Sequence, residues 1–368
     1  MKRRTALTTL LGSTLIASPI PVRADASNPA LPRDRVAAII RNNQRIVAPN
    51  GVEELRTIPV NGIEQWISIR GSDRKNPLLL FIHGGPGSPT MPAAWTFQRP
   101  WEDFFTVVQW DQRGAGKTYA TNGAPPASTM NLNQFVDDAQ TVIAYLLERF
   151  GQRKLFVLGH SWGSSVGLEL ARRRPEVMHA YIGCGQMIYS SRSEHDGFEF
   201  ALAAARADRN AAAVRELEAL APYPGPLGTL TVERISAQRK WLMYYGGLTF
   251  GRKDFTYDAD TWQLSPEYNE RDVVMTDRGS LFSLTHLLGA VERTNFNAVT
   301  ELRVPTIMMI GRHDYATSHR VTAEWFSMLR APKKSAVWYE NSAHMMMIEE
   351  PGRFVHHLVS GVLPLANA

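Results

Sequence analysis

The stretch LFVLGHSWGSS at residues 155–165 constrains the fold more than any other part of the sequence. An apolar run typical of a β-strand ends at Gly159, and a helical pattern follows from about Ser164 to Arg173. Glycines flank Ser161 because the backbone between such a strand and helix turns so sharply that a side chain at either position would clash. The stretch therefore predicts a strained turn at the edge of a parallel sheet, with the Ser161 hydroxyl exposed above it.

The rest of the first half of the chain fits such a sheet. Short apolar or β-branched runs alternate with helical patterns from about residue 53 to 184, which is typical of an α/β fold with a mostly parallel sheet and flanking helices. The predicted strands are 54–60, 64–70, 77–82, 105–110, 154–159 and 178–184. A core-facing helix is predicted between the fourth and fifth strands, with Asn131 or Asn133 as its cap and Gly151 at its end.

The alternation stops after Gly185 and resumes at about residue 304. From about 190 to 298 the pattern is mostly helical, interrupted by the turn-forming segment APYPGPLG. We therefore expect an α/β core formed by residues 25–187 and 299–368, with residues 188–298 inserted as a helical cap.

The first 24 residues have the pattern of a secretory signal peptide. Three basic residues precede an uncharged run that is too short and too often interrupted for a membrane anchor, and small residues allow cleavage after Ala24 or Ala26. Arg3 and Arg4 also allow twin-arginine export. We expect an exported protein, periplasmic or secreted, with no stable membrane anchor.

The charge and the cysteine content of the chain bear on two questions, whether it binds nucleic acid and whether it forms a disulfide. Four basic residues lie in the predicted leader and the formal net charge of the whole chain is +5, so the mature chain has a net charge of +1. A nearly neutral chain without basic blocks gives no indication of nucleic-acid binding. Cys184 is the single cysteine, so an intrachain disulfide is impossible, and we interpret it as a buried, unreactive thiol. The sequence does not indicate the oligomeric state.

A serine hydroxyl becomes a useful nucleophile only when a base removes its proton and an acid orients that base. His344 follows the last predicted strand and Asp314 follows the strand TIMMIG, so Ser161, Asp314 and His344 occur in the order expected for a hydrolase on a doubly wound sheet. The competing candidates for the base are His286, His313, His356 and His357, and those for the acid are Asp111, Glu340 and Glu349.

Acyl transfer also needs backbone N–H groups that stabilise the negative oxygen formed during the reaction. In hydrolases of this kind one donor follows the nucleophile, here Trp162, and the other lies in the loop after the third strand. That loop reads HGGPG, and it lacks the Lys-Ser/Thr pair of a phosphate-binding loop. Gly85 is the expected second donor, with Gly84 as the alternative, and His83 is expected to hold the loop.

Several motifs occur together in one order: HGGPG at 83–87, WDQRGAGKT at 110–118, GHSWGS at 159–164, GRHD at 311–314 and then His344. Over about residues 50–365 the chain thereby resembles the proline iminopeptidase family of α/β-hydrolases, of the S33 peptidase type. The resemblance implies a serine hydrolase without metal or organic cofactor that releases an amino-terminal residue, typically proline, from small peptides. It also implies loop-stabilising roles for Asp111 and Arg113.

The cap departs from the family pattern. Family peptidases hold the substrate's free amine with cap carboxylates, whereas the comparable segment RKWLMYYGGLTFG contains no acid. Glu194, Asp196 and Glu199 are the candidates for this substrate-binding role, and a solvated helix face is the alternative interpretation. The hypotheses are therefore an aminopeptidase, a carboxylesterase or lactonase with the same catalytic residues, and a non-catalytic binding protein on a hydrolase scaffold.

Overall fold

A computed structural model describes residues 31–367, so the predicted signal peptide lies outside the described residues. The described part contains an eight-stranded sheet with the strand order β1-β2-β4-β3-β5-β6-β7-β8. The strands are β1 (Val52–Val60), β2 (Ile63–Gly71), β3 (Leu78–Ile82), β4 (Thr106–Trp110), β5 (Leu155–His160), β6 (Met178–Cys184), β7 (Thr306–Gly311) and β8 (Lys334–Tyr339).

Most of the sheet is parallel. β2 pairs antiparallel with both β1 and β4, and the other neighbouring pairs are parallel. The prediction of an α/β-hydrolase fold with a mostly parallel sheet is confirmed. The carboxyl ends of β3, β5, β6, β7 and β8 consequently meet at one edge, where ligands bind in open α/β sheets.

Helices cover the sheet and fill the insertion. They are α1 (Arg33–Asn43), α2 (Gly116–Asn122), α3 (Leu132–Phe150), α4 (Trp162–Arg173), α5 (Ser190–Ala207), α6 (Ala211–Glu218), α7 (Val232–Tyr244), α8 (Thr256–Gln263), α9 (Glu270–Glu292), α10 (His319–Met328), α11 (Met346–Glu349) and α12 (Pro351–His357). Helices α5 to α9 lie between β6 and β7, in the segment predicted to be helical. Among residues 31–367, no helix combines the length and apolarity needed to cross a membrane.

Two apolar clusters, one on each face, bury the central strands. Leu80 and Val157 pack in one cluster with Val142 of α3, whereas Phe81 and Phe156 belong to the other. Because side chains alternate across a strand, a parallel strand covered on both faces reads as the continuous apolar run seen at β3. The burial fixes the strand ends from which the functional loops depart.

Local sequence signals account for α3 and α4 but not for every helix. The Asn131 side chain caps α3 by accepting a hydrogen bond from the Gln134 amide, so it is Asn131 rather than Asn133 that begins the helix. Gly151 ends the helix with a φ of 63°. Helices α1 and α2 were not expected from the sequence, and the predicted end of β5 at residue 159 lies one residue before its observed end at His160.

Candidate active site

Ser161 lies at the turn between β5 and α4, as the motif predicts. Its φ of 53° and ψ of −122° are strained for a residue with a side chain. A Cβ at Gly159 would lie 2.6 Å from the Gly163 carbonyl oxygen, and one at Gly163 would lie 2.0 Å from the Ile82 carbonyl oxygen. Both glycines are therefore required by close backbone contacts, one within the turn and one with β3.

Asp314 and His344 are brought together by the loops after β7 and β8. The His344 Nδ1 and Asp314 Oδ2 atoms are 2.8 Å apart, and both side chains are buried. Asp314 also accepts hydrogen bonds from the amides of Ala316 and Thr317 and from the Thr317 hydroxyl. Burial alone would raise the pKa of Asp314, but His344 and these donors outweigh it and lower the pKa to about 2.

The ionised Asp314 decides which imidazole nitrogen of His344 carries the proton. A carboxylate only accepts hydrogen bonds, so Nδ1 must donate to it. In a neutral imidazole, Nε2 is then the atom that carries the lone pair. A neutral imidazole in this tautomer is the form that can accept a proton from a nearby hydroxyl.

His160 links the serine turn to the histidine loop, a contact that the sequence analysis missed. Its Nε2 atom lies 3.0 Å from the His344 carbonyl oxygen, and the two rings are 4.7 Å apart. Burial lowers the pKa of His160 to about 3, so the ring is neutral and Nε2–H donates to that carbonyl. The only sequence signal was its position beside Ser161, which the motif treats as variable.

The HGGPG loop passes directly beside the serine turn. A Cβ at Gly84 would lie 2.8 Å from the Ser161 Cβ, and Gly85 has a φ of 112°, a conformation that favours glycine. Among residues 31–367, the N–H groups of Gly84, Gly85 and Trp162 donate to no other group of the protein. The N–H groups of both loop glycines, like that of Trp162, are therefore available to donate to a bound ligand.

His83 connects this loop to the one that follows β4. Its Nε2 accepts from the Gln112 amide at 3.2 Å, while the Gln112 side chain donates to the His83 carbonyl at 2.8 Å. Its Nδ1 lies 2.9 Å from the Gly84 carbonyl oxygen and serves as the donor there. Burial lowers the pKa of His83 to about 4, which keeps the ring neutral.

The two residues with expected loop-stabilising roles have buried partners. Arg113 pairs with Asp138 of α3, with Nε and Oδ2 2.9 Å apart. Asp111 Oδ2 accepts from the Lys117 amide at 2.7 Å and from the Tyr268 hydroxyl at 2.5 Å. Burial raises the pKa of Asp111 to about 7.

The competing histidines and acids lie elsewhere or have other partners. His313 stacks on Phe250 with ring centres 4.2 Å apart, and the exposed Glu340 pairs with Arg312. His286 bonds to a carbonyl within α9, and His357 contacts Tyr339. Among residues 31–367, the hydrogen-bond partner of the His344 ring is Asp314 and not any of these side chains.

The three candidate carboxylates of the cap lie on α5 in different surroundings. Glu194 is buried, accepts from Tyr223 at 2.8 Å and pairs with both terminal nitrogens of Arg239. Asp196 is half-buried and accepts from the Ser318 hydroxyl at 2.6 Å, and Glu199 is exposed. Arg239 is the partner that the sequence analysis missed, because it lies 45 residues from Glu194 in the chain.

Comparison with known proteins identifies the family. A sequence profile described as "Serine aminopeptidase, S33" matches residues 79–351, a range that spans most of the chain and includes Ser161, Asp314 and His344. The chain belongs to the S33 serine aminopeptidase family. The resemblance to proline iminopeptidase-type α/β-hydrolases and the prediction of a hydrolase are thereby confirmed.

Two named sequence relatives agree with this assignment, and a solved structure shares the fold. The chain is 30% identical over 306 residues to "Probable aminopeptidase YbaC" of Bacillus subtilis, covering 83% of this chain and 94% of the relative. It is 25% identical over 293 residues to "Proline iminopeptidase" of Heyndrickxia coagulans, covering 75% and 87%. Its fold matches the crystal structure of a proline iminopeptidase from Mycobacterium smegmatis with a TM-score of 0.61 at 20% identity, covering 86% and 100%.

Proposed function

We propose that the protein hydrolyses its substrate through an acyl-enzyme formed on Ser161. His344 Nε2 takes the serine proton as the hydroxyl attacks a carbonyl carbon, and then gives it to the leaving group. Water attacks the acyl-enzyme in the second step with the same base. The observation that carries this proposal is the 2.8 Å contact between His344 Nδ1 and the ionised Asp314, because it leaves Nε2 free to accept.

The backbone amides beside Ser161 complete the proposed site. Trp162 N–H and Gly85 N–H would donate to the oxygen of the tetrahedral intermediate, with Gly84 N–H as the alternative to Gly85. Groups of this kind stabilise charge that exists only during the reaction, and removing one such donor costs about 10² to 10³ in kcat. Their freedom from other acceptors supports this assignment.

The proposed reaction is release of an amino-terminal residue, proline or another small residue, from small peptides. Membership of the S33 family and the names of the two sequence relatives support it. A substrate with a free amine needs a carboxylate nearby, and Glu194 is the buried candidate. At about 4 Å and an effective dielectric constant of about 20, an ammonium gains about 4 kcal/mol from a carboxylate, which equals about 10³ in affinity.

One observation favours a second candidate, an esterase or lactonase. Arg239 already neutralises Glu194, and although burial opposes its charge, Glu194 outweighs burial and raises the pKa of Arg239. A guanidinium about as close to the incoming ammonium as the carboxylate would cancel most of the attraction. A neutral Glu194–Arg239 pair therefore suits an acyl group without a charged amine.

A panel of substrates with free and blocked amines separates the two candidates. The panel contains prolyl and alanyl p-nitroanilides, their N-acetylated forms and short p-nitrophenyl esters. Turnover of each substrate is measured with the wild-type enzyme and with Ser161→Ala. An aminopeptidase is expected to prefer free over blocked amines by 10²-fold or more, given the attraction above. Equal turnover of free and blocked anilides, or turnover of the esters without release from either anilide, would reject the aminopeptidase and favour the esterase.

A matched pair of variants tests the amine site. Glu194→Gln removes the charge that faces Arg239, whereas Glu199→Gln removes an exposed charge from the same helix. If Glu194 holds the amine, only Glu194→Gln should lower the preference for free amines. If both variants had the same preference for free over blocked amines, a residue other than Glu194 would hold the substrate amine.

A further inference from the structure

Helix α9 belongs to the insertion by sequence, but its start is fixed to the core. The Tyr268 hydroxyl donates to Asp111 at 2.5 Å, and Lys117 Nζ lies 2.5 Å from Asp272 Oδ2. Asn269 and Asp272 form a capping box at the start of the helix. Two polar contacts, both buried, therefore fix this end of α9 against the loop that follows β4 and against α2.

Two to three turns further on, α9 approaches two glycine loops so closely that a side-chain carbon at the glycines in contact would meet other atoms. A Cβ at Gly87 would lie 2.6 Å from the Ser283 Cβ, and one at Gly114 would lie 2.6 Å from the Ser283 hydroxyl oxygen. On the helix side, a Cβ at Gly279 would lie 2.9 Å from the Gly114 carbonyl oxygen. Both Gly87 and Gly114 have positive φ values, 80° and 76°, so glycine is required there for backbone reasons as well.

Two serine hydroxyls of α9 bond to the carbonyls of these loops. Ser280 Oγ donates to the Gly87 carbonyl at 2.6 Å, and Ser283 Oγ donates to the Gly114 carbonyl at 2.8 Å. A serine hydroxyl in a helix ordinarily bonds to the preceding turn of its own helix, as Thr285 of α9 does with the Leu281 carbonyl. Ser280 and Ser283 instead connect α9 to the core.

The HGGPG loop is consequently held on both sides of Gly85. On the strand side, His83 and Gln112 exchange two hydrogen bonds. On the other side, Ser280 holds the Gly87 carbonyl, and the Ser88 amide closes the turn onto the Gly84 carbonyl at 3.2 Å. The direction of the loop's free N–H groups follows from these two attachments.

We propose that Ser280 and Ser283 are positioning residues for the HGGPG loop. Ser280 holds it directly through the Gly87 carbonyl, and Ser283 holds the Gly114 carbonyl of the loop after β4, whose Gln112 bonds to His83. The inference rests on the proposed function, in which a loop amide stabilises the intermediate. Such donors act because they are fixed before the reaction and need no reorganisation during it. Loss of the Ser280 hydroxyl should therefore weaken binding of the transition state more than binding of the substrate.

The test compares Ser280→Ala, Ser283→Ala and Ser280→Thr with wild type, and Thr285→Ala serves as the matched control. Thr285 is exposed, lies on the same helix, and bonds only within it. For Ser280→Ala we expect about a 10-fold fall in kcat with KM unchanged, less than the about 10²-fold loss for removal of a donor outright. Ser280→Thr keeps a hydroxyl and should recover most of this loss, and Thr285→Ala should match wild type.

A transition-state analogue separates positioning from a merely structural role. An aldehyde bearing the acyl group of the best substrate adds to the serine and places its oxygen among the amide donors, whereas the corresponding alcohol binds without reaction. Ser280→Ala should weaken inhibition by the aldehyde about as much as it lowers kcat, and leave inhibition by the alcohol unchanged. Equal weakening for both compounds, or unchanged kcat in both alanine variants, would overturn the proposal.

The proposed function fails by a different result. If Ser161→Ala retained wild-type turnover, the acyl-enzyme would be wrong whatever the α9 variants do. If Ser161→Ala were inactive and the alanine variants of α9 kept full kcat, only the positioning proposal would fail. Thermal unfolding of each variant, followed by circular dichroism, identifies any that do not fold, and Ser283→Ala provides the test if Ser280→Ala is among them.

Discussion

Replacing Asp314 with asparagine changes one charge and one acceptor without changing the size of the side chain. The Ala316 and Thr317 amides donate to Oδ1 at 2.9 and 3.0 Å, so the asparagine oxygen should take that position. The asparagine NH₂ group then replaces Oδ2, which faces His344 Nδ1 at 2.8 Å. An NH₂ group only donates, so Nδ1 must accept and the imidazole proton moves to Nε2. In that tautomer His344 cannot take the proton of Ser161.

The expected losses differ in size for activity and for stability. A histidine held in the wrong tautomer lowers kcat by about 10⁴, or about 5 kcal/mol in the barrier. The pKa of Asp314 is lowered from its ordinary value of 3.8 to about 2. The ionised form therefore contributes about 2 kcal/mol to stability, a contribution that is full above pH 4 and lost as the pH falls through about 2. At pH 7, Asp314→Asn should unfold more easily by about that amount.

Steady-state turnover of the best p-nitrophenyl ester, with chemical denaturation followed by fluorescence, measures both effects. Glu340→Gln is the matched control, because Glu340 is an exposed acid of the neighbouring loop that pairs with Arg312. It should keep wild-type kcat. The assignment of the acid would be refuted if Asp314→Asn kept kcat within 10-fold of wild type while Ser161→Ala was inactive.

Three further predictions concern other parts of the chain. Gly163→Ala should abolish activity and lower the yield of folded protein, because the new methyl would lie 2.0 Å from the Ile82 carbonyl oxygen; an active, soluble variant would contradict this. Burial raises the pKa of Asp111 to about 7, so its ionisation destabilises the fold as the pH rises from about 4 to about 7. The difference in melting temperature between Asp111→Asn and wild type should therefore favour the variant more at pH 8 than at pH 5. A difference that favours the variant more at pH 5 would refute the reasoning. Expression of the full chain with fractionation should place a shortened form outside the cytoplasm, and deletion of residues 1–24 should retain the protein inside.

Local signals in the sequence were enough to predict the sheet and to select the candidate site. The serine turn, the helix cap at Asn131 and the loops after the strands each depend on residues close together in the chain. The Glu194–Arg239 pair and the contact of Ser280 with the HGGPG loop do not. Such contacts depend on how the insertion folds back over the sheet, and no periodicity or motif specifies that arrangement.

Contacts from the insertion hold the loops that carry the proposed catalytic groups. The loop that carries Asp314 is held by α5, since Ser193 donates to the Thr317 carbonyl and Asp196 accepts from Ser318, a non-glycine residue with a φ of 45°.

The loops that carry His344 and the candidate oxyanion donors are held by the insertion in the same way. The His344 amide donates to the Leu248 carbonyl at 3.1 Å, and Ser280 holds Gly87. The insertion therefore supports each of the three loops on which the proposed chemistry depends. Substitutions in the cap that alter substrate preference are thus expected to alter kcat as well as KM, because the same helices would face the substrate and hold the reacting groups.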